Sequence, residues 1–247
     1  MFDFFLKKKF LVDHLNGFVD IHNHILPGID DGAKTVEDSI SLIKGFSEFG
    51  VANFIATPHV MHEYYPNNPD TINKALGELK NELLRTNLKN IFIDAAGEHM
   101  IDSNFENILD AEKTMPINKR YLLIEMSYLQ ASINFDNAVQ KIATKKYFTI
   151  LAHPERYVYL HNNFKIYRKY KEEKGILFQL NLLSLSEYYG KDVQKMSLKL
   201  INEGMIDFVA SDIHNMRQLN YLKNFKISEK VLKSISPIIE NTIDTFY

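Results

Sequence analysis

The chain has 247 residues, of which 45% are hydrophobic and 24% are charged, with a formal net charge of −2. This composition is typical of a globular protein, and the length suffices for one domain of α/β-barrel size. The absence of cysteine excludes disulfides, thiolate metal sites and a cysteine nucleophile. The near-neutral charge, without a long basic stripe, argues against nucleic-acid binding.

Residues 1–17 are predicted to form an N-terminal arm, followed by one domain over residues 18–247. The lysines of the arm follow aromatic residues, and no apolar segment with a cleavage site comes after them, so the arm is not typical of a signal peptide. No apolar run is long enough to predict a transmembrane helix. We therefore expect a cytoplasmic protein whose arm packs its phenylalanines on the domain. The alternative is weak attachment to a membrane or a partner.

Seven apolar segments are predicted to be strands, at residues 18–24, 52–58, 91–95, 121–126, 149–152, 177–180 and 207–210. Helical periodicity follows at residues 35–49, 70–85, 135–145, 164–174, 192–203 and 228–246, and Pro237 is expected to break or kink the last helix. Thr35 can cap the first helix and Gly50 can end it. The alternation predicts a mostly parallel sheet, closed into a barrel or a distorted barrel. A doubly wound open sheet is the alternative.

Side chains that can bind a metal follow six of the seven predicted strands. Residues two apart on a strand point to the same side, so His22 lies beside His24, and Asp212 lies beside His214. In barrels and open α/β sheets, active sites form at the carboxyl ends of the strands. The sixth predicted strand offers only the amides Gln179 and Asn181. The candidate ligands are His22, His24, His59, Glu98, Glu125, His153, Asp212 and His214.

A lone histidine or carboxylate at such a place is more often structural, but repetition at strand after strand predicts a metal site. Nitrogen and carboxylate ligands without sulfur favour Mn²⁺, Fe²⁺ or Zn²⁺ over Ca²⁺ or Mg²⁺ alone. The candidates are too many for one ion and suit two or three ions bridged by a carboxylate. Such a cluster supports phosphoester hydrolysis. The other histidines, His14, His62, His99 and His161, are interpreted as surface or supporting residues.

Two further segments suit a phosphate site. Arg156 lies three residues past His153, where its guanidinium can bind phosphate oxygens in a bidentate manner; a surface salt bridge is the alternative. The loop at residues 27–32 contains two glycines and two aspartates, so an acidic side chain can turn back toward the metals. For this loop the alternative is a solvated turn.

With these motifs the sequence resembles the PHP (polymerase and histidinol phosphatase) superfamily of metal-dependent phosphoesterases. More closely, it resembles the bacterial protein-tyrosine phosphatases of that superfamily, which regulate capsule and exopolysaccharide. The resemblance implies a distorted seven-stranded (β/α) barrel that holds three divalent metal ions, usually manganese. The matching segments, in the order of the family, are residues 20–24, 28–32, 57–59, 97–98, 123–125, 152–157 and 211–215.

The resemblance also implies a set of ligands for each metal. His22, His24, Glu98 and Asp212 would bind one ion, Glu98, Glu125 and His153 a second, and Asp31, His59 and His214 a third. Asp30 is the neighbouring alternative to Asp31. Arg156 matches a phosphate-binding arginine of the family. Arg217 is a candidate for another, although it lies closer to His214 than in some members.

The implied activity is hydrolysis of phosphotyrosine on a protein, such as the tail of a bacterial tyrosine kinase that controls polysaccharide export. We expect a metal-bound hydroxide to attack phosphorus in line, without a covalent enzyme intermediate. A histidinol-phosphate phosphatase is the enzymatic alternative, but the segments at residues 28–32 and 152–157 favour the tyrosine group. A non-catalytic PHP module is a third possibility, and the complete set of candidate ligands argues against it.

Overall fold

A computed structural model describes residues 8–88 and 90–247. The strands are β1 Lys8–Phe10, β2 Val19–Asp20, β3 Asn53–Ala56, β4 His59–Val60, β5 Phe92–Ala95, β6 Glu98–Met100, β7 Tyr121–Glu125, β8 Phe148–Ala152, β9 Leu177–Asn181, β10 Phe208–Ala210 and β11 Lys226–Ser228. The α-helices are α1 Val36–Ser47, α2 Pro69–Leu83, α3 Phe105–Asp110, α4 Phe135–Thr144, α5 Phe164–Arg168, α6 Lys191–Asn202, α7 Met216–Asn224 and α8 Glu229–Phe246.

Two parallel sheets form the centre of one mixed α/β domain. The larger sheet has the order β10-β9-β8-β7-β6-β4, and the smaller has the order β2-β3-β5. Only Thr57 and Pro58 separate β3 from β4, and only two residues separate β5 from β6. Because β3 pairs with β5 and β4 pairs with β6, the two sheets continue one another along these interrupted strands.

The ends of β2 and β10 also meet. A parallel bridge pairs Asn23 with Ile213. On either side of it, the backbone N–H of Asp212 donates to the carbonyl of His22 at 2.8 Å, and that of His24 donates to the carbonyl of Ile213 at 3.0 Å. The polar residues that follow the first and last predicted strands therefore lie next to each other.

The predicted mixed α/β domain with a parallel sheet is confirmed, and each of the seven predicted strands overlaps an observed one. The six predicted helices correspond to α1, α2, α4, α5, α6 and α8, and α5 continues as a π-helical turn at Lys169–Glu173. The sequence prediction did not include α3 and α7. Each of these short helices buries only two side chains, Phe105 and Leu109 in α3 and Leu219 and Leu222 in α7, which is too few for a clear periodicity.

The sequence predicted a break or a kink at Pro237, and the break does not occur, because α8 runs continuously from Glu229 to Phe246 with the proline inside it. Proline removes one helical hydrogen bond. The helix nevertheless packs Ile235 and Ile239 into the core on either side of the proline, and this burial outweighs the missing bond.

The predicted arm lies partly outside the described residues, which begin at Lys8. Lys8–Phe10, the first described residues of the arm, form β1, which pairs antiparallel with β11. Phe10 is not packed into the core, since 38% of it is exposed, whereas Leu11 and Leu15 are buried. Within the described ranges, no helix has both the length and the apolarity to span a membrane.

Candidate active site

Every candidate ligand lies at or after the carboxyl end of a strand, and the structure brings them into one cluster. His59 and Glu98 begin β4 and β6, directly after the short breaks that follow β3 and β5, and Asp31 lies in the loop after β2. The residues group around four overlapping points, with ligand atoms within 4.8 Å of one another in each group. Glu98 belongs to two of these groups, as does His24. The groups are His22, His24 and Asp212; His22, Glu98 and His153; His59, Glu98 and Glu125; and His24, Asp31, His59 and His214.

Glu98 lies at the centre of the cluster. Its Oε1 lies 3.2 Å from Nε2 of His22 and 3.0 Å from Nε2 of His153. Its Oε2 lies 2.9 Å from Nδ1 of His59. A carboxylate whose two oxygens face different histidines is arranged as a bridging ligand. Glu125 lies with His59, at 2.9 Å, rather than with His153.

Asp212 and His214 serve different parts of the cluster, although they lie two residues apart. Oδ1 of Asp212 lies 3.4 Å from Nε2 of His22 and 3.3 Å from Nε2 of His24. Nε2 of His214 faces Oδ1 of Asp31 at 3.5 Å, and Nε2 of His59 faces the same oxygen at 3.4 Å. This arrangement supports the ligand sets implied for the first and third metals.

Three of the histidine rings are oriented by hydrogen bonds at Nδ1, on the side of the ring that faces away from the cluster. Nδ1 of His22 lies 2.8 Å from Oε1 of Gln179, and Nδ1 of His24 lies 2.8 Å from Oδ2 of Asp30. Nδ1 of His214 lies 3.0 Å from the carbonyl of Asp212. With its proton on Nδ1, each ring donates to these oxygens and can bind a metal through Nε2, as in established metal sites.

The loop after β2 separates the roles of its two aspartates. Asp31 joins the cluster, whereas Asp30 holds His24 and accepts the backbone N–H of Gly32 at 2.8 Å. The close approach requires glycine at position 32, since a Cβ there would lie 2.0 Å from the carbonyl oxygen of His24. Asp30 is therefore a supporting residue.

Two of the candidate ligands have backbone conformations that are uncommon for residues other than glycine. His153 has φ of 35° and Asp212 has φ of 53°. His153 directly follows β8, and Asp212 lies two residues after the end of β10, and both side chains belong to the cluster. Such strained conformations are concentrated at functional sites.

The charges of the cluster shift the pKa values of its histidines in opposite directions. Burial alone would lower the pKa of His24, but the Asp30 carboxylate and its neighbours raise it to about 10. Burial, reinforced by His24, lowers the pKa of His214 to about 4. The pKa of Glu98 lies well below its usual value despite burial, because His22 and His59 favour the charged carboxylate. The cluster thus concentrates anionic oxygens where cations are favoured.

Arg156 lies at the edge of the cluster, at the end of a short 3-10 helix over Pro154–Arg156. Its Nη1 donates to Oδ2 of Asp212 at 2.8 Å. Its guanidinium lies between two aromatic rings, with Cζ 4.5 Å from the ring centroid of Tyr128 and 4.3 Å from that of Tyr189. These contacts hold a flat, permanently charged group beside the ligands.

Arg217 has a different position. It is the second residue of α7 and is exposed. Over the part of the chain that the structure describes, its side chain makes no hydrogen bond or ion pair. The structure therefore does not bring Arg217 into the cluster.

Several supporting residues were not predicted from the sequence. Gln179 and Asn181 end β9 with their side chains on one face, and Gln179 orients His22 while Asn181 donates to Asp212 at 2.5 Å. Their alternation at a strand end was the available signal. Tyr128 and Tyr189 lie in loops that are distant from each other in the sequence, and no sequence pattern predicted their contact with Arg156.

One prediction about the remaining histidines is wrong. His99 is neither a surface residue nor a support for the cluster. It is buried in β6, and burial lowers its pKa to about 4. Its Nδ1 lies 3.1 Å from the carbonyl of Leu123, and its Nε2 accepts the N–H of Met115. It connects β6 to its neighbours as a neutral core residue.

Comparison with known proteins finds tyrosine phosphatases among the proteins that resemble this chain. The CapC protein of Staphylococcus aureus is 31% identical over 225 residues, which cover 90% of this chain and 87% of the relative. The tyrosine-protein phosphatase YwqE of Bacillus subtilis is 31% identical over 82% of this chain and 80% of its own length. One solved structure matches this chain with a TM-score of 0.73. Its description covers crystal structures of YwqE from B. subtilis and CpsB from Streptococcus pneumoniae and calls both metal-dependent tyrosine phosphatases. The matched structure is 29% identical and covers 90% of this chain and 94% of its own.

The predicted resemblance to this group of phosphatases is thereby confirmed. Residues 18–229 match the family described as "Capsular polysaccharide synthesis, CpsB/CapC", and this range contains every candidate ligand and both arginines. The chain belongs to the CpsB/CapC family of capsular polysaccharide synthesis.

Proposed function

We propose that this chain is a metal-dependent phosphatase that hydrolyses phosphotyrosine on proteins. One observation carries the proposal: nine histidine and carboxylate side chains form a single cluster with Arg156 at its edge. The cluster offers ligands for cations, and the guanidinium offers donors for the oxygens of a phosphate. Relatives that are named tyrosine-protein phosphatases support the choice of phosphotyrosine.

Buried atoms without partners support metal binding. Nδ1 of His59 lies 2.9 Å from Oε2 of Glu98 and 2.9 Å from Oε1 of Glu125, yet none of the three atoms makes a hydrogen bond with any described residue. Leaving such atoms unsatisfied in the interior is costly, typically about 1–3 kcal/mol each. Divalent ions would satisfy them, and the nitrogen and oxygen donors suit Mn²⁺, Fe²⁺ or Zn²⁺. We propose three ions, most simply Mn²⁺, held by the nine side chains of the cluster, with Glu125 acting beside His59 rather than beside His153.

When bound, the ions would supply Lewis-acid polarisation of the phosphate and a water of lowered pKa. The residues of the chain orient the reaction. Arg156, held by Asp212 and between its two rings, donates to the non-bridging phosphate oxygens, where the charge is concentrated. Gln179 and Asp30 keep His22 and His24 in the tautomers that face the cluster. We propose that the exposed Arg217, which lies outside the cluster, contacts the substrate rather than the metals.

A phenolate is a good leaving group, so the reaction does not require a side chain dedicated to protonating it. We propose that the substrate is the phosphorylated tail of a bacterial tyrosine kinase. The match to a family of capsular polysaccharide synthesis supports this assignment. Because kinases take their phosphate from ATP, we place the reaction in the cytoplasm.

We also propose that the sheets form a distorted seven-stranded barrel. If β3 with β4, and β5 with β6, each count as one strand, the order runs from β2 through β10, and the bridge between Asn23 and Ile213 closes it. Residues 18–247 are the proposed catalytic domain, and residues 1–17 are the proposed arm. The carboxyl ends of all seven strands then surround the ligand cluster.

The proposal is tested by comparing a phosphotyrosyl peptide with histidinol phosphate on one preparation of the metal-loaded protein. We expect kcat/KM for the peptide to exceed that for histidinol phosphate by at least about a hundredfold, which corresponds to about 2.7 kcal/mol. A preference for histidinol phosphate would assign the chain to small-molecule hydrolysis instead. Absence of turnover with both substrates would contradict a phosphatase altogether.

A further inference from the structure

A large groove leads away from the ligand cluster. It has a volume of about 1030 Å³, and His59, Asp31 and Glu125 line its inner end. Sites for small molecules typically have volumes of about 300–1,000 Å³, so this groove is larger than a single phosphotyrosine requires. Its outer part is therefore available to the residues that flank the reacting side chain.

Three segments form the outer part, and each follows a strand of the larger sheet. Residues 61–65 follow β4, residues 100–103 begin with the last residue of β6, and residues 127–134 come after β7. Because β6 lies between β4 and β7, its segment lies between the other two. Asp102 links the three segments by hydrogen bonds. Its side-chain carboxylate accepts the backbone N–H of His62 at 2.8 Å, and its backbone carbonyl accepts Nδ2 of Asn134 at 3.3 Å.

Exposed apolar side chains line the groove. Leu129 is 90% exposed, Ile133 is 99% exposed and Tyr64 is 74% exposed. Large apolar residues gathered at the mouth of a site mark a binding surface. Their position beside the cluster, rather than elsewhere on the domain, connects them with the substrate.

The charged side chains in the outer part of the groove, away from the metal ligands, are acidic. They are Glu63 and Asp102, and no lysine or arginine is among the described residues that line the groove. Acidic side chains entering this outer part would meet the two carboxylates without a lysine or arginine to compensate. Apolar and neutral side chains would bury their surface against Leu129 and Ile133 without that repulsion.

We propose that this groove binds the extended segment on either side of the phosphotyrosine and selects apolar or neutral flanking residues over acidic ones. The inference rests on the proposed function, because it takes a tyrosine-phosphorylated protein segment as the occupant. Leu129 and Ile133 are its specificity determinants. They touch the flanking residues and not the phosphate, so small phosphomonoesters do not use them.

The test compares two phosphotyrosyl peptides that differ only in their flanking positions, leucine in one and glutamate in the other, with p-nitrophenyl phosphate as the small substrate. With the metal-loaded wild-type protein we expect kcat/KM to be about tenfold higher for the leucine peptide. The double variant Leu129→Asp/Ile133→Asp should lose about tenfold in kcat/KM on the leucine peptide, mainly through KM. It should hydrolyse p-nitrophenyl phosphate like the wild type.

Leu84→Asp is the matched control, because Leu84 is 86% exposed but does not line the groove. This variant should retain wild-type kinetics on all three substrates. Equal kcat/KM of the wild type on both peptides, or a double variant that behaves like the control, would overturn the groove assignment alone. A wild-type protein that hydrolyses p-nitrophenyl phosphate but neither peptide would overturn the proposed function as well.

Discussion

Asp212 connects Arg156 to the ligand cluster. Its Oδ2 accepts Nη1 of Arg156 at 2.8 Å, while its Oδ1 faces Nε2 of His24 at 3.3 Å. One carboxylate therefore sets the distance between the guanidinium and the histidines. The left-handed conformation of Asp212, with φ of 53°, directs the side chain to that position. We infer that phosphate binding and metal binding are coupled through this residue.

The first prediction concerns the two arginines. Arg156→Lys should lower kcat/KM for a phosphotyrosyl peptide by about a hundredfold, because an ammonium cannot donate in a bidentate manner or stack between Tyr128 and Tyr189. Arg217→Ala should lose less than about tenfold, since Arg217 is exposed and lies outside the cluster. Steady-state kinetics of both metal-loaded variants measure the difference. Equal losses would refute the role assigned to Arg156.

The second prediction concerns Tyr189, whose ring packs on Arg156 and whose buried hydroxyl has no hydrogen-bond partner in the part of the chain that the structure describes. Tyr189→Leu removes the cation–π contact, worth about 0.5–2 kcal/mol, and should raise KM and the inhibition constant of phosphate by about 2- to 30-fold. Tyr189→Phe retains the ring and should leave both constants near the wild-type values. If the phenylalanine variant lost as much as the leucine variant, the ring would not be the group that positions Arg156.

The third prediction concerns Gln179, which accepts a hydrogen bond from Nδ1 of His22. Gln179→Leu should lower the affinity for the metal at His22 by about 10- to 100-fold, because the ring loses its fixed tautomer and orientation. Competition with a chelator of known affinity measures this change without reference to activity. Gln140→Leu, on the exposed face of α4, is the control and should bind metal like the wild type. Unchanged affinity in Gln179→Leu would contradict the supporting role.

The fourth prediction concerns Gly32, where an added Cβ would lie 2.0 Å from the carbonyl oxygen and 2.4 Å from the Cβ of His24. Gly32→Ala should displace the loop that carries Asp31 and lower the number of bound metal ions per chain. Gly77→Ala is the control, since no atom of the described residues lies within 4 Å of a Cβ at that position in α2. It should bind a full complement of metal and gain about 0.5–1 kcal/mol in unfolding free energy. Elemental analysis and urea unfolding measure both quantities.

The sequence predicted the elements whose burial produces a regular pattern. Strands such as β7 and β8 are continuous apolar runs between polar segments, and Thr35 caps α1 as its position indicates. The candidate ligands could be recognised because they repeat at strand ends. Their convergence is geometric, since the carboxyl ends of parallel strands meet at one edge of the sheet.

The features that the sequence did not predict depend on distant contacts. Tyr128 and Tyr189 both contact Arg156, but they lie about sixty residues apart in loops without periodicity. The choice between Asp30 and Asp31 depends on the path of one loop, which turns Asp30 toward His24 and Asp31 toward His59. The continuity of α8 through Pro237 depends on tertiary packing, which outweighs the local cost of proline.

Metal removal tests the central claim, that the histidine–carboxylate cluster performs phosphotyrosine hydrolysis with bound cations, most directly. The protein is treated with EDTA, its metal content is measured, and its turnover of a phosphotyrosyl peptide is compared before and after Mn²⁺ is added back. We predict that turnover falls at least about a hundredfold as the metal is lost and returns with Mn²⁺. Full turnover by protein shown to contain no metal would contradict the account.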